Sequence, residues 1–254
     1  MNNQLLEVFI KAGIIVVAAI FICVLITKRF IYFRPSSTFL ELNEKYNQNY
    51  KEINHGHLNG WLFSGNSNKI ILFCHDNYGN ISYKQEKILA MKSMGYSILA
   101  FDYSGYGKSS GVPSEQQLYD DASAMVAMLR QTYNPEQIIL YGESIGAPIA
   151  TYVARRYSIP TLIIESSIPS IKEIIKNNYP VLSFFSFLFP EFDTASYLDG
   201  YKGKSLILHS TSDEIIPYES VKPLIKLCSQ HILIEGSHSN PAIPWEKVNI
   251  FIEK

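Results

Sequence analysis

Residues 137–156 read QIILYGESIGAPIATYVARR, and this stretch decides the fold. Residues 138–141 are apolar and rich in β-branched side chains, which is typical of a buried strand, whereas the residues after 146 have the pattern of a helix. Pro148 falls in the first turn of that helix, where its missing N–H group has no cost. In another context Gly-x-Ser-x-Gly at 142–146 could be a chance match. Between a strand and a helix, it predicts a sharp turn that projects Ser144 from the carboxyl end of the strand.

The same alternation of strand and helix continues on both sides of this turn. Continuous apolar runs predict buried strands at residues 69–74, 96–101, 161–165, 205–209 and 230–235. Strands of this kind belong to a sheet that is covered on both faces, and helices between them indicate parallel pairing through right-handed crossovers. Residues 51–54 and 58–63 predict an antiparallel hairpin at one end. We therefore expect an α/β protein with a mostly parallel central sheet and helices on both faces.

Composition excludes some classes of function. The chain has 254 residues with 22 basic and 23 acidic side chains, and this balance argues against a nucleic-acid partner. The three cysteines follow neither a disulfide nor a zinc pattern. His55 and His57 form an H-x-H pair in the turn of the predicted hairpin. Because no acidic or cysteine partner is near in sequence, we interpret them as solvated turn residues rather than as metal ligands.

The N-terminal segment differs from the rest of the chain. Residues 12–27, AGIIVVAAIFICVLIT, carry no charge, and extending the run back to Val8 gives the ~20 residues that a membrane-spanning helix needs. A signal peptide is the main alternative, but no small-x-small cleavage site follows the run. We predict a single-pass anchor helix at about 8–27 within a segment 1–34, followed by the catalytic domain at 35–254. Basic residues after the helix place that domain on the cytoplasmic side.

Two later loops supply candidates for a catalytic acid and base. Asp213 follows the predicted strand 205–209, with Glu214 as the neighbouring alternative. His238 lies in a glycine-containing loop after the last predicted strand, whereas His75 and His209 end strands and are interpreted as structural. The order Ser144, Asp213, His238 is the chain order of the α/β-hydrolase triad.

Three motifs carry a resemblance to a known family. HDNYGN at 75–80, DYSGYGKSSG at 102–111 and GESIG at 142–146 resemble α/β-hydrolases, and are most similar to the Bem46 and ABHD13/ABHD17-like group of membrane-anchored serine hydrolases. The resemblance covers about residues 50–254 and implies a small cap at about 168–200. Asp76 stands where this group usually has glycine. A carboxylate near a developing oxyanion is unfavourable unless it points outward.

Together the residues and the resemblance predict a serine hydrolase. Ser144 would attack an acyl carbonyl, His238 would act as general base, and Asp213 would orient the imidazole. The backbone N–H groups of Ile145 and Asn77 would form the oxyanion hole, and the chemistry requires no metal or cofactor.

The substrate is expected to be a small-molecule or lipid ester or thioester, because the chain combines an anchor with an apolar cap segment at 181–189. The segment could instead pack as ordinary helix onto the core. A serine peptidase or aminopeptidase, and a catalytically silent binding module on the same fold, remain alternatives.

Overall fold

The computed structural model describes residues 3–27, 33–41, 50–172, 175, 183–184 and 186–254. Within them, one eight-stranded sheet contains β1 (Tyr50–His55), β2 (Leu58–Phe63), β3 (Ile70–Cys74), β4 (Ser97–Phe101), β5 (Ile138–Glu143), β6 (Thr161–Glu165), β7 (Lys204–Ser210) and β8 (Gln230–Ile234). The order across the sheet is β1-β2-β4-β3-β5-β6-β7-β8. Strand β2 is antiparallel to β1 and β4, and the remaining neighbours are parallel. The predicted mostly parallel sheet with its antiparallel hairpin is confirmed.

Helices cover both faces of this sheet. The helices of the described residues are α1 (Asn3–Thr27), whose described side chains are exposed, and α2 (Gln85–Ser93), α3 (Glu115–Leu129), α4 (Gly146–Tyr157), α5 (Thr194–Leu198), α6 (Tyr218–Leu227) and α7 (Trp245–Glu253). One apolar cluster joins the sheet to α3, α4 and α6, and a second joins its other face to α2 and α7. Every residue of β3, β4, β5 and β6 is buried, because helices cover the sheet from both sides.

The sheet register positions the loops that carry the candidate site residues. Strands β3 and β5 are adjacent and parallel, and Cys74 pairs with Gly142 at their carboxyl ends. Parallel neighbours end at the same edge of the sheet, so the loops after β3, β5, β7 and β8 open on one side of the molecule. The central pair β3–β5 therefore brings the HDNYGN loop next to the serine turn.

The N-terminal run forms the helix α1, which includes the predicted 8–27. Its described apolar side chains are exposed, and Glu7 pairs with Lys11 at 2.7 Å one turn apart. Within the ranges described above, no helix meets the length and apolarity needed to cross a bilayer. The predicted transmembrane anchor, and the membrane side assigned from it, are not confirmed and stay predictions.

The residues after the N-terminal segment join the catalytic domain. Arg34 and Pro35 pair with Tyr78 and Gly79 as a short parallel bridge, and the Arg34 N–H donates to the Asn77 carbonyl at 2.9 Å. Phe33 is buried in the core. This contact places residues 33–35 against the loop that follows β3.

The predicted cap at 168–200 is described only in part, because residues 173–174, 176–182 and 185 lie outside the described chain. In the predicted apolar segment 181–189, Phe184 and Phe187 are 80% and 71% exposed. The end of the cap returns to the core, where Phe192 is fully buried. The Glu115 carboxylate at the start of α3 accepts the N–H groups of Glu191 and Phe192, each at 2.6 Å, and so fixes this return.

Candidate active site

The turn after β5 has the geometry of a nucleophile elbow. Ser144 has a φ of 55°, a left-handed conformation that is uncommon for a residue with a side chain. Its N–H donates to the Glu165 carbonyl of β6 at 2.9 Å, which fixes the turn against the sheet. A Cβ on Gly146 would lie 2.0 Å from the Cys74 carbonyl oxygen, and one on Gly142 would lie 2.3 Å from the Gly146 carbonyl oxygen. Both glycines are therefore required by close backbone approach, as the motif predicts.

Three predicted residues meet beyond the strand ends. His238 Nδ1 lies 2.8 Å from Asp213 Oδ2, and His238 Nε2 lies 3.2 Å from Ser144 Oγ. The other carboxylate oxygen of Asp213 accepts the N–H groups of Ile215 and Ile216 at 2.9 and 2.7 Å. The imidazole is therefore held between an oriented carboxylate and the serine hydroxyl.

Glu214, the alternative acid, has a different contact. Its carboxylate accepts the backbone N–H of His238 at 3.0 Å, whereas the imidazole faces Asp213. Glu214 therefore supports the loop that carries the histidine, and Asp213 is the acid that the geometry favours.

Electrostatics reinforce the pairing of Asp213 with His238. Burial opposes the ionised form of Asp213, but hydrogen bonds from His238 and the Ile216 N–H outweigh burial and lower the carboxyl pKa. Burial also opposes the charged imidazole, yet the hydrogen bond and charge of Asp213 raise the pKa of His238 above its ordinary 6.5. The histidine is therefore a stronger proton acceptor than a free imidazole.

The predicted oxyanion residues lie in the same cleft. Ile145 and Asn77 line, with Ser144 and His238, a cavity of about 760 Å³. The Asn77 carbonyl accepts from the Tyr106 hydroxyl at 3.2 Å and from a backbone N–H, so the loop after β3 is held in place. Use of the Ile145 and Asn77 N–H groups as oxyanion donors remains a prediction.

Sequence reasoning missed the partner of Asp76. Asp76 Oδ2 lies 2.7 Å from Lys84 Nζ, at the end of the short 3₁₀ turn Ile81–Lys84 that precedes α2. One turn further along, Lys87 Nζ lies 2.7 Å from carboxylate oxygens of both Glu143 and Glu165. No local sequence motif predicts these ion pairs, because each depends on how α2 packs against the strand ends.

The other histidines divide into two groups. His75 and His209, which the sequence analysis interprets as structural, are buried: His75 Nδ1 lies 2.7 Å from the Asp76 carbonyl and His209 Nε2 lies 3.0 Å from the Ile216 carbonyl. Burial lowers the pKa of His75 to about 3, so it is neutral. His57 lies in the hairpin turn and is exposed, as its interpretation as a solvated turn residue requires, and its Nε2 also lies 2.8 Å from Ser104 Oγ. Among the residues that the structure describes, no group of three or more His, Cys, Asp or Glu could hold a metal ion.

Comparisons with known proteins agree with this geometry. The Hydrolase_4 family, described as serine aminopeptidase S33, matches residues 65–202. The α/β hydrolase domain-containing protein 17B of Homo sapiens is 31% identical over 183 residues, which are 70% of this chain and 62% of that protein. The lysophosphatidylserine lipase ABHD12 of Danio rerio is 29% identical over 199 residues, which are 70% of this chain and 52% of that protein.

A solved esterase of Pyrococcus furiosus has the same fold. It superimposes with a TM-score of 0.68 at 19% identity and covers 89% of this chain and 98% of its own. Fold, motif order and family match thus agree, and the chain belongs to the Hydrolase_4 family of α/β-hydrolases.

Proposed function

We propose that this protein is a serine hydrolase that cleaves a carboxylic ester or an acyl thioester through an acyl-enzyme on Ser144. One observation carries the proposal: the hydrogen-bonded series from Asp213 through His238 to Ser144 opens into the cleft. Since a serine hydroxyl is a weak nucleophile by itself, a base held in this position is what activates it.

The proposed reaction has two halves. Ser144 Oγ attacks the acyl carbonyl carbon while His238 Nε2 takes the hydroxyl proton, and Asp213 stabilises the resulting imidazolium. The carbonyl oxygen becomes negative and accepts the N–H groups of Ile145 and Asn77. His238 then gives its proton to the leaving alcohol or thiol. Water, activated by the same imidazole, repeats the sequence and releases the acid.

The apolar wall of the cleft favours binding of the acyl part of a substrate. Five isoleucines line the cleft: Ile145 next to the serine, and Ile168, Ile171, Ile215 and Ile216. A wall of this kind stabilises a hydrocarbon chain through burial of apolar area. A lipase and an esterase among the similar proteins support the same substrate class.

An aminopeptidase is the second candidate, because the family description names that activity. An aminopeptidase needs an acidic side chain to bind the substrate's amino terminus. The acidic side chain that lines the described cleft is Asp76, and it already pairs with Lys84. This pairing favours an ester over a peptide.

The experiment combines covalent labelling with a substrate series. A fluorophosphonate probe should label the purified protein once, at Ser144, and Ser144→Ala should remain unlabelled with an unchanged melting temperature. p-Nitrophenyl esters from acetate to palmitate, acyl thioesters and amino-acid p-nitroanilides then compare the substrate classes. Turnover of the anilides alone would replace the proposal by the aminopeptidase. Absence of both labelling and turnover would favour a binding module.

A further inference from the structure

Lys84 is a largely buried cation beside the candidate active site. Its Nζ lies 2.7 Å from Asp76 Oδ2, and the two side chains are only 12% and 18% exposed. An ion pair that is largely removed from water interacts more strongly than one on the surface, and loss of one partner leaves the other charge uncompensated. Lys84 therefore neutralises the Asp76 carboxylate and binds one of its two oxygens.

Asp76 is part of the loop that is proposed to stabilise the oxyanion. It immediately precedes Asn77, and its Oδ1 accepts the N–H of Tyr78 at 3.2 Å. Its backbone carbonyl faces His75 Nδ1 at 2.7 Å. A negative charge in this loop would oppose the negative charge that develops on the substrate oxygen, unless a cation compensates it.

We infer that Lys84 is a positioning residue for the proposed hydrolysis, on which this inference rests. Lys84 turns the Asp76 carboxylate toward α2 and cancels its charge, so that the Asn77 peptide can present its N–H to the oxyanion.

Lys87 makes the equivalent contact on the other half of the site. Its Nζ lies 2.7 Å from Glu143, the residue before the nucleophile. The turn before α2 and the first turn of α2 thus hold both backbone segments that supply the proposed oxyanion donors. Lys84 acts through Asp76 and Lys87 acts through Glu143. Burial opposes the charged form of Lys84, but Glu143 and Asp76 outweigh burial and raise the lysine pKa, so the cation persists at neutral pH.

The central test is a set of variants in the full-length protein, assayed with the best ester from the substrate series. Lys84→Met should lower kcat by about 10–100-fold with little change in KM, because the uncompensated carboxylate raises the energy of the oxyanion and not of the bound ester. Lys84→Arg, which keeps the charge, should retain most of kcat. The double variant Lys84→Met with Asp76→Asn should regain most of the lost kcat, because it removes the charge that lysine compensates.

A matched control separates this effect from general damage to α2. Lys92 lies on the same helix with its ammonium 5.8 Å from the Phe63 ring centroid, and Lys92→Met should leave kcat unchanged. A boronic acid, which forms a negatively charged tetrahedral adduct on serine, should bind Lys84→Met more weakly by the same factor as the loss in kcat. A purely structural lysine would change the melting temperature without changing boronate affinity.

Several results would overturn the inference alone. One is Ser144-dependent turnover in which Lys84→Met has the same kcat as the wild type. The others are a double variant whose kcat is no higher than that of Lys84→Met, and a boronic acid that binds Lys84→Met as tightly as the wild type. If Lys84→Met does not fold, Lys84→Gln takes its place with the same expectations. Wild-type turnover that is independent of Ser144 would instead overturn the proposed function, and this inference with it.

Discussion

The described chain contains two groupings of serine, histidine and aspartate, and only one has the geometry for nucleophilic catalysis. The cleft triad is Ser144, His238 and Asp213. In it the imidazole lies between its partners, with Nδ1 2.8 Å from the carboxylate and Nε2 3.2 Å from the hydroxyl. One nitrogen can thus donate to the acid while the other accepts the serine proton.

The loop cluster is His57, Ser104 and Asp121. Here the same nitrogen, His57 Nε2, lies 2.8 Å from the serine Oγ and 3.3 Å from the carboxylate. The serine Oγ donates directly to the carboxylate at 2.9 Å, and its backbone N–H does so at 2.7 Å. The Ser104 hydroxyl proton is therefore already donated to Asp121. The cluster connects the β1–β2 hairpin and the loop at 102–111 to α3. The comparison shows that identical side chains can have different hydrogen-bond geometries, according to which atoms face each other.

The two serines should differ most. Ser144→Ala should lower ester turnover by on the order of 10⁴-fold or more, because the acyl-enzyme cannot form. Ser104→Ala should keep kcat within about threefold, since no reacting atom meets Ser104. Steady-state kinetics on both variants, corrected for the folded fraction, provide the measurement. Equal losses in the two variants would show that the comparison is wrong.

Substitution of the two aspartates, Asp213 and Asp121, should give the second largest difference in kcat. Asp213→Asn should reduce kcat by about 10⁴-fold through the wrong imidazole tautomer, with the protein still folded. Asp121→Asn should instead lower the melting temperature and leave the kcat of the folded protein nearly unchanged. Glu214→Gln should have a small effect, because only a backbone contact to His238 is weakened. If Glu214→Gln were as damaging as Asp213→Asn, the acid would have to be reassigned.

A pH profile should sharpen the comparison. The general base must be neutral, and the pKa of His238 is raised above 6.5, so the acid limb of kcat/KM should have its midpoint above pH 6.5. Activity should therefore rise as pH increases through that midpoint. Asp213→Asn should move the midpoint downward, because the charge that raises the pKa is gone. His57→Gln should leave it in place, and a shift in that variant would contradict the assignment of His57 to the loop cluster.

The smallest expected effect concerns stability. Ser104→Ala removes one hydrogen bond to a buried carboxylate and should lower the free energy of unfolding by about 1–3 kcal/mol. Urea denaturation of this variant and of Ser110→Ala, at an exposed position in the same loop, measures the difference. A loss no larger than that of Ser110→Ala would mean that the loop cluster does not stabilise the fold.

Sequence predicted the parts of the site that depend on local chain geometry. The serine turn was predictable because Gly142 and Gly146 are needed by the backbone itself, within five consecutive residues. The order of strands and loops then placed Asp213 and His238 at the same sheet edge. The choice between Asp213 and Glu214 could not be derived in this way, because the two residues are adjacent in one loop. Only the directions in which their side chains point distinguish them.

Contacts between distant segments were not predictable. The partner of Asp76 is set by the packing of α2 against the loop after β3, and no pattern in the sequence records that arrangement. The contacts of His57 were missed for the same reason, since Ser104 and Asp121 are 47 and 64 residues away. The apolar N-terminal run predicted a helix correctly, but the prediction of a membrane span from composition is not supported.

The close contact between the serine turn and β3 has a consequence for how such a protein can change over generations. Because a Cβ on Gly146 would lie 2.0 Å from the Cys74 carbonyl oxygen, the turn and the neighbouring strand end are packed together as one unit. Mutations there cannot adjust the site gradually. The segment 168–200 differs from this turn, since Phe187 in it is 71% exposed. Ile168 and Ile171 of the segment 168–200 line the cleft, so substitutions at those positions can change what the cleft binds while the serine turn stays fixed.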